Sequence, residues 1–256
     1  MRSFLAFTRK EFTYQLRSGK LMLLGILFVL FGIMNPAVAK LTPWLLEAMA
    51  DSLAESGMTV TGVTITAMDS WVQFFKNIPI ALIAFVLLEG GIFTTEYESG
   101  TLVLSLTKGL SRCKVILSKT VVLSLLWSFG YWLCFGVTYG YNAYFWDNSI
   151  AQNLWLSVIC WWVFGLWVVS LAVLFSVLAR SSGMVLVGTG GVAFGCYLLG
   201  MIPKIKNYLP TALTVGNSLI YGTAKAEDYT AALLLCAAMF VIFVAVSIPL
   251  FSKKKL

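Results

Sequence analysis

The sequence predicts an all-α integral membrane protein. It has six transmembrane helices, an N-terminal amphipathic interfacial helix and a short helical loop between spans two and three. Three observations carry this. Of the 256 residues, 59% are hydrophobic and only 11% charged, well below the roughly 25% charge of soluble domains. Mean hydropathy is +0.88, more apolar surface than a water-soluble fold needs. The apolar residues fall into six stretches of about 18–25 residues, each long enough to cross a hydrocarbon core of roughly 30 Å.

The elements follow in order along one membrane domain, 1–256. In residues 1–20 a helical wheel puts Met1, Phe4, Leu5, Thr8, Phe12 and Leu16 on one face and Arg2, Arg9, Lys10, Thr13 and Arg17 on another, with Phe7 and Tyr14 out of pattern. Such a helix lies in the headgroup region, its cations near anionic lipid. Span one is 21–39, interrupted by Gly32 and expected to end near Pro36. Ala37-Val38-Ala39 resembles a signal cleavage site, but the charged leader is long for one, so a retained helix is expected. In the polar stretch 40–77, Pro43 can open a helix over 44–54, and Trp44 and Trp71 suit interface positions. Span two is 78–95, span three 120–141, span four 154–178, the Gly-rich span five 184–202 and span six 229–251. The stretch 205–222, between Pro203 and the last span, carries Leu209, Leu213, Val215, Leu219 and Ile220 and could dip back into the membrane.

Charge orients this scheme. With both termini inside, the inner segments hold Arg2, Arg9, Lys10, Arg17, Lys20, Lys108, Arg112, Lys114, Lys119, Arg180 and the three lysines 253–255. The outer segments hold Lys40, Lys76, Lys204, Lys206 and Lys225, and seven of the 11 acidic residues. The positive-inside rule therefore places both termini in the cytoplasm of a multi-pass cell-membrane protein, expected to be bacterial. It also accounts for the net charge of +7 without nucleic acid. There is no His, which removes the commonest general base and a major metal ligand. The five Cys stand singly and read as small buried hydrophobes. No Asp falls within a span and no HExxH occurs, so an intramembrane protease is excluded on chemistry. No GxxxxGK[ST] occurs either, so no ATP site is expected in this chain.

The loop between spans two and three is the most informative stretch. Glu96 and Glu98 follow span two, and Gly100-Thr101 allows a turn. Leu102, Leu106 and Leu110 recur at helical spacing, and Gly109 breaks the run. Ser111 can cap a new helix carrying Arg112, Lys114 and Lys119. The result is either a short rigid surface element whose charges pair across an interface, or an ordinary solvated loop. Glu89, about 10 Å deeper than Glu96 along a helix, is an ionisable group within a span. It is a candidate for the substrate path or gating, or it bonds to a neighbouring helix. In span five, Gly188, Gly191 and Gly195 offer close packing, with Gly191-x-x-x-Gly195 a helix-pairing motif. It reads as a dimer seam or hinge, or as packing within the chain. Trp161, Trp162 and Trp167 read as packed or lipid-facing rather than as a substrate box.

The pattern Glu96-x-Glu98-x-Gly100-Thr101-Leu102, then Ser111-Arg112, then Lys119, resembles the corresponding loop of permeases of the type-2 ABC exporter class. It departs at the usual Pro, where Gly109 stands. The six spans, the leader and Tyr208-Leu209-Pro210 before span six are similar too. The resemblance implies that two such subunits, identical or related, form the membrane half of a transporter. Two cytoplasmic ATPase subunits, which hold the ATP and Mg, dock beneath. Loop 96–112 would be the coupling helix in a groove of the ATPase, with Glu96, Glu98, Gly100, Thr101, Leu102, Ser111, Arg112 and Lys119 as its residues. The chain itself would bind no cofactor and be no enzyme. Apolar and aromatic spans favour an apolar or amphipathic cargo such as a peptide or antibiotic. The rivals are an ion-coupled secondary transporter centred on Glu89 and a non-transporting scaffold or sensor subunit.

Overall fold

The computed structural model describes residues 2–50, 64–98, 100–107, 109–179 and 181–254. Asp51, Glu55, Lys108, Arg180, Lys255 and the end of the helix expected over 44–54 lie outside the described residues, as does the side chain of Glu98. The described residues are helical with no strand: α1 Arg2–Arg17, α2 Lys20–Ala48, α3 Ala67–Glu89, α4 Thr94–Glu98, α5 Thr101–Thr107, α6 Arg112–Phe145, α7 Leu154–Leu178, α8 Ser182–Leu199, α9 Gly216–Ile220 and α10 Thr230–Lys253. Six of them are long and apolar enough to cross a membrane: α2, α3, α6, α7, α8 and α10.

Span four matches its expected limits, 154–178, because polar or Gly-containing turns bound it on both sides. Others run longer, since hydropathy marks where apolar residues stop whereas a helix stops at its caps. Span one does not end near Pro36: α2 continues through Pro36 and Pro43 to Ala48, and Pro43 opens no separate helix. A proline inside a helix frees the carbonyl four residues back. For Pro36 that carbonyl is Gly32 O, and the Thr138 hydroxyl of α6 donates to it at 3.0 Å. Gly32 allows this approach, because a Cβ there would sit 2.8 Å from Val137 Cβ. Thr138 Oγ1 also accepts from Asn35 Nδ2 at 3.0 Å, and Asn35 Oδ1 from Asn77 Nδ2 of α3 at 2.8 Å. This buried network joins spans one, two and three. Thr138→Val is expected to cost about 1 kcal/mol, read as a lowered unfolding midpoint in detergent.

Span two begins at Ala67 rather than near residue 78, because Thr66 and Asp69 form a capping box. Span three begins at Arg112 rather than near residue 120, where the Ser111 side chain accepts from Lys114 N at 3.4 Å. The predicted cap is in place.

The helix α7 forms the centre. Of its apolar window 67% is buried, against 11% for α8 and 22% for α10. It packs on α10, α6 and α8, while α2 lies against α6 and α3. Trp161 and Trp167 are buried, and the Trp127 indole of α6 donates to Trp162 O at 3.1 Å. Trp44 is exposed, whereas Trp71 is fully buried against Phe74 and Phe135, and its indole donates to Asn148 Oδ1 at 3.1 Å. The segment around Pro210–Thr214 and α9 folds back on α7. Ser157 Oγ donates to Gly216 O at 3.0 Å and Trp161 Nε1 to Thr214 O at 3.0 Å. Leu213, Leu219 and Ile220 are buried there.

The leader α1 presents a different face to the protein from the one its apolar residues suggest. Leu5, Phe12 and Leu16 stay exposed, while Phe7, Glu11 and Gln15 are buried. The apolar stripe is left exposed, and the stripe at i, i+4 and i+8 that docks is mostly polar. A polar stripe is buried only where charged partners await it.

Candidate functional site

Those partners are at the end of span two and the start of span three. The helix α3 stops after Glu89, and the chain turns through Gly90 and Gly91, where it passes close to its neighbours. A Cβ on Gly91 would lie 3.2 Å from the Ser182 hydroxyl of α8. The loop then forms α4, turns at Gly100 (φ +67°), forms α5, and turns again at Gly109 (φ +88°) before Ser111 caps α6. Proline, fixed near φ −65°, cannot adopt the left-handed geometry at residue 109. The loop is therefore a pair of short helices, each followed by a glycine turn.

Four charged side chains clamp this loop to the leader. The Lys119 ammonium, fully buried, lies 2.9 Å from Glu11 Oε2 and 2.9 Å from Glu96 Oε2, and donates to Ile92 O at 2.8 Å. Lys10 completes the set at 2.5 Å from Glu96 Oε1 and 3.0 Å from Glu11 Oε1. Two cations thus alternate with two carboxylates around one centre. Partial burial, which by itself lowers the Lys10 pKa, is outweighed by the hydrogen bond to Glu96 and by the charge of Glu11. The ammonium is held above its ordinary value. Nearby, Gln15 Nε2 donates to Glu89 Oε2 at 2.6 Å, Lys20 Nζ to Leu88 O at 3.3 Å, and Thr8 Oγ1 to Ser118 Oγ at 3.0 Å.

The candidate residues therefore separate by what they touch. Glu96 and Lys119 meet in the charge cluster, and Leu102 is buried beneath α5. Gly100 makes the turn and Ser111 the cap. Thr101 and Val103 are exposed on the surface of α5. Arg112 does not point outward with them. Its guanidinium reaches the end of α10, where Nη1 donates to Phe251 O at 2.6 Å, Lys254 O at 2.8 Å and Ser252 O at 3.2 Å. Glu89 is buried under the leader, bonded to Gln15. Gly188 packs inward, since a Cβ there would lie 2.4 Å from the Phe175 ring, while nothing lies within 4 Å of a Cβ on Gly191 or Gly195. The helix-pairing motif faces away from its own chain. Beside it, α3, α7 and α8 enclose an apolar groove of about 240 Å³ lined by Val86, Trp161, Phe164, Leu186, Thr189 and Phe194.

Sequence reasoning missed Lys10, Glu11 and Gln15 as members of the site. The available signal was Glu11, the sole acid in an otherwise basic leader.

Six membrane-length helices around a clamped helical loop define a multi-pass membrane protein. The family model described as ABC-2 family transporter protein matches residues 5–256, and the chain belongs to that family. It is a membrane permease subunit, and membrane subunits of this family work with ATPase partners. No curated protein matches the chain.

Proposed function

We propose that this chain is the membrane-spanning half of an ATP-driven exporter. It pairs with a second copy or a related permease, and two cytoplasmic ATPase subunits supply ATP and Mg. Both termini face the cytoplasm of a bacterial plasma membrane, as the charge asymmetry favours. The cargo is apolar or amphipathic, a peptide or antibiotic being the class that apolar, aromatic spans suit best.

The observation that supports this reading is the build of the loop. A solvated loop has no reason to bury a lysine between two carboxylates. A lever does, because it must move as one piece when pushed. The charge cluster holds α4 through Glu96 and the buried Leu102 seats α5, which leaves Val103 outward for the ATPase groove. Glu96, Arg112 and Lys119 then serve the rigidity of the lever rather than the contact itself. The engagement of Glu89 by Gln15 favours a part in seating the leader over an ion-coupled path.

The test is purification of the tagged chain from its host in mild detergent, with mass spectrometry of what accompanies it. A stoichiometric ATPase is expected. Val103→Glu, on the exposed face, is expected to lose most of it while the permease still inserts and unfolds at the same temperature. Retention of the ATPase by that variant would move the docking surface off α5. Absence of any ATPase from the unmodified chain would overturn the proposal.

A further inference from the structure

The Arg112 contact belongs to a larger arrangement. Arg112 opens α6 directly after the loop, and its guanidinium takes three carbonyls at the end of α10. Carbonyls in the last turn of a helix have few donors within it, and the helix dipole concentrates negative charge there; Phe251 O also accepts from Lys254 N at 3.3 Å. Charge-assisted bonds from a planar guanidinium hold such an end firmly. Immediately beyond, Lys254 does the same for α7. Its ammonium donates to Val177 O at 2.7 Å and Ala179 O at 2.8 Å, the open carbonyls where span four stops. Aromatic faces brace both cations. Lys254 lies 4.2 Å from the Tyr97 ring centre and Arg112 5.4 Å from that of Phe251, with the two rings 6.4 Å apart. Tyr97 is part of α4 in the loop. Across the turn, Thr94 at the start of α4 shares a 2.9 Å hydrogen bond with Ser182 at the start of α8.

We infer that Arg112 and Lys254 form a relay of positioning residues that ties the inner ends of spans six and four to the central loop. The loop continues directly only into spans two and three. Without the relay, a push on α5 reaches the central helix α7 through α6 and its mid-span contacts, such as the Trp127 indole on Trp162 O. With it, the loop, the end of α10 and the end of α7 move together. Each link is a cation seated on a helix C-terminus, so it resists both sliding and separation. The basic end of α10 thus has a role besides setting membrane orientation. It makes span six the strut between the loop and span four.

This relay rests on the ATPase-driven reading above, and the experiment separates the two. Spin labels are placed at Leu178, exposed at the end of α7, and Tyr144, exposed at the far end of α6. Distances are measured in the purified complex with and without ATP. In the otherwise unmodified protein a nucleotide-dependent shift is expected. Lys254→Gln is expected to abolish the shift with the ATPase still bound, and Lys254→Arg, which keeps charge and reach, to restore it. Arg112→Gln is expected to act as Lys254→Gln does. A full shift in Lys254→Gln, or no shift in the unmodified complex with ATPase bound, overturns the relay alone. Failure of the ATPase to accompany the unmodified chain overturns the proposed function and the relay with it.

Discussion

Lys119→Met is expected to destabilise the protein by about 3–5 kcal/mol, the cost of removing one partner from a buried ion pair. The lysine is fully buried between Glu11 and Glu96. Methionine fills a similar volume, so the loss is chiefly electrostatic. Two carboxylates would then face each other with only the half-exposed Lys10 ammonium between them, and the Ile92 carbonyl would lose its donor. The measurement is the thermal unfolding midpoint in detergent, with limited proteolysis of the leader, which should become cleavable as α1 lifts away. The double variant Lys119→Met with Glu11→Gln is expected to recover part of the loss, because it removes one of the two orphaned charges. If the single variant unfolds as the parent does, the cluster is not what holds the leader.

The second large effect is expected at Gly165. A Cβ at this position would lie 2.1 Å from Trp127 Cε2 and 2.2 Å from its Cζ2. The indole has nowhere to go. It is fully buried, its nitrogen donates to Trp162 O, and the rings of Phe28, Phe85 and Tyr131 surround it. Overpacking a filled core costs about 1–3 kcal/mol or more. Gly165→Val is expected at the top of that range or beyond, seen as reduced yield of folded protein and a lower midpoint. Gly191→Val is the matched control. It adds the same side chain at a position with open space around it, so the monomer's stability should hold. Loss of oligomer in that variant alone would mark Gly191 as a seam with a second copy.

Much of the architecture was legible before any coordinates. Hydropathy alone separates six spans, because a bilayer leaves backbone polar groups no alternative to helix. Positions 96–119 stand out because glycines, a capping serine and alternating charge occur together. The limits of the spans were less legible. Pro36 reads as a stop, yet the helix passes it, since Thr138, a hundred residues away in sequence, donates to the carbonyl the proline leaves open. The docking face of the leader was hidden from the sequence for a related reason. The leader's apolar residues mark the face left exposed, and the face that meets protein is set by Glu11 and Gln15, whose partners lie on spans two and three.

The sequence by itself determined the class of molecule, the number of membrane-length helices, the helical loop with its two glycine turns, and the family to which the chain belongs. These depend on local periodicity, composition and motif, which are properties of neighbouring residues. Only the tertiary structure decided what the charges are for. Glu96, Arg112 and Lys119 look alike in the sequence, as ionic residues near an inner surface. Folded, Lys119 is buried between two carboxylates, and Arg112 seats on a helix end nearly 140 residues further along the chain. A charge in a membrane protein takes its role from the group that offsets its desolvation, and that group is chosen by packing.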